Sequence, residues 1–170
     1  MDAGPLIHLD ELDCLSLLNI FKILHIPNAV WAEAVQKDRV NQASLLNLQN
    51  VQRHALHHDI VEKFIKKYKL EALHAGECEC LFLCKQNRVT LMLTDDLAAR
   101  NFAKQLNLTP VGSLGIIIKA YQQGMINLEE AEYYILRLYD VSSLYVTRTI
   151  VELAIEQLRQ HSIRSRDNKN

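Results

Sequence analysis

Apolar positions along this chain fall into short runs alternating with helical stretches. Leu6, Leu9 and Leu12, then Leu15, Leu17 and Leu18, give an apolar side that predicts helix over residues 3–20. Ile23–Ile26 predicts a short strand closed by Pro27, which has no N–H to give a sheet. Asn28 is a capping residue type, and Val30, Trp31, Ala34 and Val35 follow it as a helix would carry them. The stretch 38–70 is less periodic; it reads as mostly helical and solvent-rich, with a short strand near Ile60–Val61, and ends in the run KKYKL. Gly76 and Glu77 open a helix to about Gln86, and Val89–Leu93 is an apolar strand. Thr94, Asp95 and Asp96 start a helix carrying Phe102, Ala103 and Leu106, and Leu108–Val111 is another strand. Gly112–Ser113 leads into a helix over Leu114–Gln123, with Gly124 as its stop. Two more helices are expected at 128–139 and 143–160, the latter capped by Ser142 or Ser143. Helices and strands alternating through short connections predict an α/β fold with a parallel sheet. One domain over residues 1–160 is expected, followed by a basic, disordered tail over 161–170.

Composition narrows this picture. With 49% apolar residues in 170, the chain can bury a core without metals or disulfides. Its apolar runs are far shorter than a membrane span, and no basic-then-apolar leader opens it, so a cytoplasmic protein is expected. Nineteen basic residues against twenty acidic ones exclude a uniformly basic nucleic-acid binder. Cys78, Cys80 and Cys84 have a C-x-C-x3-C spacing that matches no zinc motif; within AGECECLFLC they read as small core residues of a buried helix. Free thiols, Cys14 included, suit a reducing compartment.

The acidic residues carry the chemistry. Ligands of an open parallel sheet bind beyond the carboxyl ends of its strands, which is where Asp95, Asp96 and the helix start at Glu77 belong. Carboxylates crowded there repel one another unless a hard divalent cation neutralises them. Each also has a plainer reading: Asp95 or Asp96 as a helix cap, Glu77 as a first-turn acid, Glu33 as the partner of Lys37, Asp2 as a charged terminus. Glu77 fits its plainer reading least, because Cys80, Leu81 and Cys84 follow at helical spacing and turn it toward the apolar side.

Four segments in order, DAGPLIHL, IPNAVWAE, HAGECE and LTDDLAARNFAKQLNLTPVGSLGIIIKAYQQGMI, resemble a PIN domain. The resemblance is closest to the prokaryotic PIN-like branch of the DUF3368 type, related to VapC-type toxins, and covers residues 2–126 apart from 38–70. It implies a three-layer α/β/α sandwich over a central parallel sheet, and a Mg²⁺- or Mn²⁺-dependent endoribonuclease. Carried over by position, Asp2, Glu33, Glu77, Asp95 and Asp96 form the acidic cluster, with Asp2, Glu77, Asp95 and Asp96 as metal ligands. Thr94 would place a hydroxyl near the metal or its water, and Glu79 is a secondary candidate. The Gly112–Gly115 helix start is a candidate phosphate contact, with a tight turn as the equal alternative. Arg100, Lys104, Lys63, Lys66, Lys67 and the tail are candidate RNA contacts.

The implied partners are an RNA substrate, a cognate antitoxin and a second copy of the chain, with no membrane. The homodimer is also suggested by the apolar stretches Leu6–Leu18 and Tyr133–Leu158. The chain departs from the family at its start: only Met1 precedes Asp2, where a strand is expected, so the sheet should be short of its first strand. That departure and the balanced charge leave open a second reading, an inactive PIN-like module that binds RNA or protein. His54, His57 and His58 read as an exposed helix face rather than a metal site.

Overall fold

In the computed structural model, which describes residues 1–167, four short strands carry the sheet: β1 (Leu24–Pro27), β2 (Val51–His54), β3 (Leu91–Leu93) and β4 (Thr109–Val111). β1 pairs in parallel with β2, in the register Leu24 to Val51, and β3 pairs in parallel with β4, Leu91 opposite Thr109. The two pairs are joined by the first two residues. The Met1 ammonium donates to the carbonyl of His25 at 2.7 Å, and the Asp2 amide donates to that of Leu93 at 2.9 Å. The resulting order is β2, β1, Met1–Asp2, β3, β4. Both residues are buried, and Asp2 is held between the strand pairs. Beyond Met1 the space between β1 and β3 is an apolar slot lined by Ile23, Leu24, Leu83, Cys84, Leu91 and Leu93.

The helices are α1 (Ala3–Asp10), α2 (Asn28–Trp31), α3 (Gln42–Leu46), α4 (His58–Tyr68), α5 (Ala75–Gln86), α6 (Leu97–Gln105), α7 (Ser113–Gln122), α8 (Leu128–Asp140) and α9 (Arg148–Asp167). A 3-10 helix spans Leu15–Ile20, and a π-turn over Ala32–Gln36 continues α2. α5 packs against β1 and β3 and carries α2 and α4; α7 packs against β4, α1 and the 3-10 helix and carries α8. α9 lies on α8, tied to it by a two-pronged Arg159–Glu132 ion pair at 2.7 Å.

The expected helix over 3–20 is broken. Asp13 takes a left-handed φ of 55°, and the chain resumes as the 3-10 helix; Leu6, Leu9, Leu12, Leu15, Leu17 and Leu18 are nevertheless all buried. Pro27 does not close β1 but belongs to it, paired with His54. Asn28 does not cap α2; Pro27 stands in the cap position. Ile60–Val61 is helical, in α4, whose 11 residues concentrate their apolar side on Val61 and Phe64. The strand of that region is instead β2, whose sequence VQRH carries little apolar signal because only its backbone partner, β1, makes it a strand. Gly124 ends α7 with φ of 72°, as expected.

Ser142 and Ser143 do not start the last helix. The Ser142 hydroxyl bonds back to the Leu138 carbonyl at 2.7 Å, and the Ser143 amide donates to Glu11 at 2.7 Å, so residues 142–147 form a loop and α9 begins at Arg148. That helix runs on through Asp167, so residues 161–167 of the expected disordered tail have helical backbone; 168–170 lie outside the described residues.

The three clustered cysteines are core residues, as their context predicts: Cys78, Cys80 and Cys84 are buried and unbridged. Burial pushes the Cys80 thiol up to about 12, and it donates to the Met1 carbonyl at 3.1 Å. His54 pairs with His25 at 2.8 Å across β1–β2, while His57 precedes α4 and His58 opens it. Among the described residues, no helix is long and apolar enough to cross a membrane.

Candidate active site

Five acidic residues from four segments line one depression of about 290 Å³: Asp2, Glu33, Glu77, Asp95 and Asp96. They share it with Gly4, His8, His74 and the loop residues Ser143, Leu144 and Tyr145. The sheet and three helix starts bring them together.

Asp2 caps α1. Its Oδ1 accepts from the Ala3 amide at 2.8 Å, and its Oδ2 accepts from the Thr94 hydroxyl at 2.8 Å. Only 6% exposed, it has its pKa pushed up by burial, against the pull of Thr94, Ala3 and the N-terminal ammonium; Glu33 adds to the rise. Glu77 sits in the first turn of α5, where its Oε2 accepts from the His74 amide at 2.8 Å. It is 7% exposed, and burial raises its pKa, with Asp96 and Asp2 adding their repulsion. Asp96 caps α6, its Oδ1 accepting from the Ala99 amide at 2.7 Å; its Oδ2 has no hydrogen bond among the described residues.

Asp95 and Asp96, equivalent in the sequence, differ in what they hold. Both oxygens of Asp95 are engaged: Oδ1 accepts from the Ser113 amide at 2.8 Å, and Oδ2 from the Ser113 hydroxyl and from His8 Nδ1 at 2.8 Å. Burial alone would raise its pKa, yet the bonds from His8 and Ser113 outweigh it and hold the carboxyl below its ordinary value. Asp95 therefore locks the start of α7 to α1. The same lock consumes the Ser113 amide, so the Gly112–Gly115 helix start is a packed turn rather than an open phosphate cradle. A Cβ on Gly115 would come 2.9 Å from Val111 Cγ1.

Thr94 is fully buried, and its hydroxyl is spent between Asp2 and the Asp96 amide, which donates to it at 3.2 Å. It joins two of the acids. Glu33 lies on the π-turn, which breaks the i, i+4 geometry expected with Lys37. The chain reverses at Asp38 (φ 53°) and brings Arg39 to 3.7 Å from Glu33. Glu79 turns away and accepts from the Ala29 amide at 3.2 Å. Of the basic candidates, Arg100 lies near the Asp95 lock and donates to the Thr94 carbonyl at 3.4 Å, whereas Lys66 pairs with Glu62 along α4.

The chain matches the DUF3368 family model, a PIN domain, over residues 1–160. It belongs to the PIN-domain family. Its two flanked parallel strand pairs are consistent with the family's α/β/α sandwich, and PIN domains are typically nucleases that usually use divalent metal ions. Comparison with the curated proteins and with the solved structures gave no match.

Sequence reasoning missed His8, His74 and Tyr145 as residues of this PIN domain's depression, and the bond from Ser113 to Asp95 beside it. His8 had one signal: it is a polar residue between buried Ile7 and Leu9. Among the described residues, no three His, Cys, Asp or Glu side chains already form a group able to hold a metal ion by themselves. The donors present still fit a hard cation of the Mg²⁺ kind, which keeps several waters and takes one or two carboxylates together with substrate phosphate. Asp96 offers an unengaged oxygen, and burial makes Asp2 and Glu77 costly to ionise, a cost that a cation would offset.

Two outcomes follow. Asp95→Asn should destabilise the protein by about 2–3 kcal/mol, since it weakens charge-assisted bonds to Ser113 and His8, and should leave Mn²⁺ affinity within a few-fold; urea denaturation and calorimetry would check both. Glu77 holds its proton more tightly folded than unfolded, so the stability it contributes is present below its ordinary 4.5 and lost as pH rises through the raised value. Glu77→Gln should therefore raise the melting temperature of the metal-free protein at pH 7 and leave it little changed at pH 4.

Proposed function

We propose that this PIN domain is a Mg²⁺- or Mn²⁺-dependent endoribonuclease that hydrolyses RNA phosphodiester bonds at the Asp2–Glu77–Asp96 depression. The observation that carries the reading is the convergence of carboxylates from different elements on one depression, two of them, Asp2 and Glu77, driven toward protonation first by burial and then by neighbouring acids. Structural acids gain nothing from such crowding, whereas a cation-binding site requires it.

Asp2, Glu77 and Asp96 would hold the ion, with Glu33 at the rim. When bound, it would supply an activated water and neutralise charge on the scissile phosphate. Thr94 fixes the spacing of Asp2 and Asp96, and Asp95 acts through the α1–α7 lock rather than as a ligand. The role of toxin in a toxin–antitoxin pair in the cytoplasm rests on the resemblance to VapC-type proteins alone. A second reading, an inactive module that binds RNA or protein, is favoured by the absence of a closed donor group among the described residues.

RNA cleavage should require Mg²⁺ or Mn²⁺, stop with chelator, and fall at least on the order of 100-fold in Asp96→Asn. Products should carry 5′-phosphates, because water attacks phosphorus directly and the ribose 2′-hydroxyl takes no part. A 2′,3′-cyclic phosphate counts against this mechanism, and RNA bound but left intact with fresh Mn²⁺ counts against the enzyme.

We further propose a homodimer, on narrower ground than the sequence suggested. Leu6–Leu18 is spent in the core, but Tyr133, Leu136, Tyr139, Ile150 and Leu153 of α8 and α9 are exposed. Light scattering at micromolar concentration should give twice 19.5 kDa, and Leu136→Glu with Leu153→Glu should return the monomer.

A further inference from the structure

The loop between α8 and α9 carries the most exposed of the large apolar side chains described, Tyr145, which is 92% exposed. An aromatic ring in water on a loose loop would say little, but this loop is held at several points. The Ser143 amide is bonded to Glu11 at the end of α1, the Leu144 amide to the Ser142 hydroxyl at 3.2 Å, and the Ile150 amide to Thr147 Oγ1 at 3.4 Å. Leu144 and Val146, on either side of Tyr145, pack against the core. With both neighbours packed inward, Tyr145 is left 92% exposed. Its place is at the wall of the acidic depression, which it lines together with Asp2, Glu77 and Asp96. A second depression, lined by Gln36 and Lys37, shares Glu33 and His74 with the first.

We infer that Tyr145 is a stacking platform for an unpaired base of the RNA strand whose backbone crosses the acidic cluster. This rests on the nuclease reading above and adds a residue outside the acidic cluster that holds the substrate there. The chemistry follows from the ring. Every base has a π-face, and an exposed, pre-positioned aromatic binds one without reading its identity. In a duplex that face is already covered by neighbouring bases, so the platform favours unpaired nucleotides. Net charge does not supply affinity here, which makes stacking beside the acids the more valuable contribution.

The test uses the full chain and a fluorescein-labelled ten-nucleotide RNA, read by anisotropy and by cleavage with Mn²⁺. Tyr145→Ala should weaken binding about ten-fold and raise KM with kcat little changed, while Tyr145→Phe and Tyr145→Trp should bind as the wild type does. The indole of Tyr145→Trp should be quenched by the single strand and not by a duplex of the same length. Because the side chain is exposed, these changes should leave the melting temperature in place. If wild type cleaves and Tyr145→Ala binds and cleaves equally well, the platform is overturned, the nuclease reading stands, and the exposed ring is left to a protein partner. An equal loss for duplex and single strand overturns the choice of unpaired substrate. A wild type that neither binds nor cleaves the RNA overturns both readings together.

Discussion

The fold and the site depend on where the backbone and side chain of Asp2 are tied. Its amide completes the link between the two strand pairs through Leu93, and the ammonium one residue earlier reaches His25 on β1. Its carboxylate takes the Ala3 amide that starts α1 and the Thr94 hydroxyl that ends β3. A single residue thereby joins the sheet, begins a helix and sets one wall of the acidic depression. Moving it would displace all three together.

The plainer readings of the acids and the functional one turn out to be the same geometry. Asp2 caps α1, Asp96 caps α6, and Glu77 bonds the amide that precedes α5. A capping carboxylate must sit at a helix N-terminus; α1 begins at the strand-like Met1–Asp2 and α6 just past β3, and α5, which follows α4, packs on β1 and β3. Caps are therefore gathered at one edge of the sheet by the topology itself. Partial positive charge at each helix start offsets part of the repulsion among them. Burial, with neighbouring acids adding to it, raises Asp2 and Glu77. Asp95 marks the contrast: nearly as buried, with its side chain 9% exposed, it is held below its ordinary value by the bonds from His8 and Ser113.

Loop 142–147 shows how function reaches parts of the chain with no chemical motif. Residues there are placed by a bond to Glu11, more than a hundred positions earlier, and by the packing of Leu144 and Val146. An exposed tyrosine becomes meaningful only because that anchoring puts it beside the acids.

Much of this was readable in the residues alone. Helix faces, the apolar strands β1 and β3, the stop at Gly124 and the core role of the clustered cysteines follow from periodicity and side-chain type, which act locally. The four ordered segments also carried the family and pointed to the acids now found lining one depression. Other features were decided by contacts between distant segments, which no local pattern encodes. β2 is a strand because β1 pairs with it, and Tyr145 is in a loop because Ser142 and Ser143 bond backward rather than forward. Asp95 and Asp96 are adjacent and chemically alike. Only the arrival of Ser113 and His8 from other helices occupies both oxygens of Asp95, while Asp96 keeps one without a partner among the described residues.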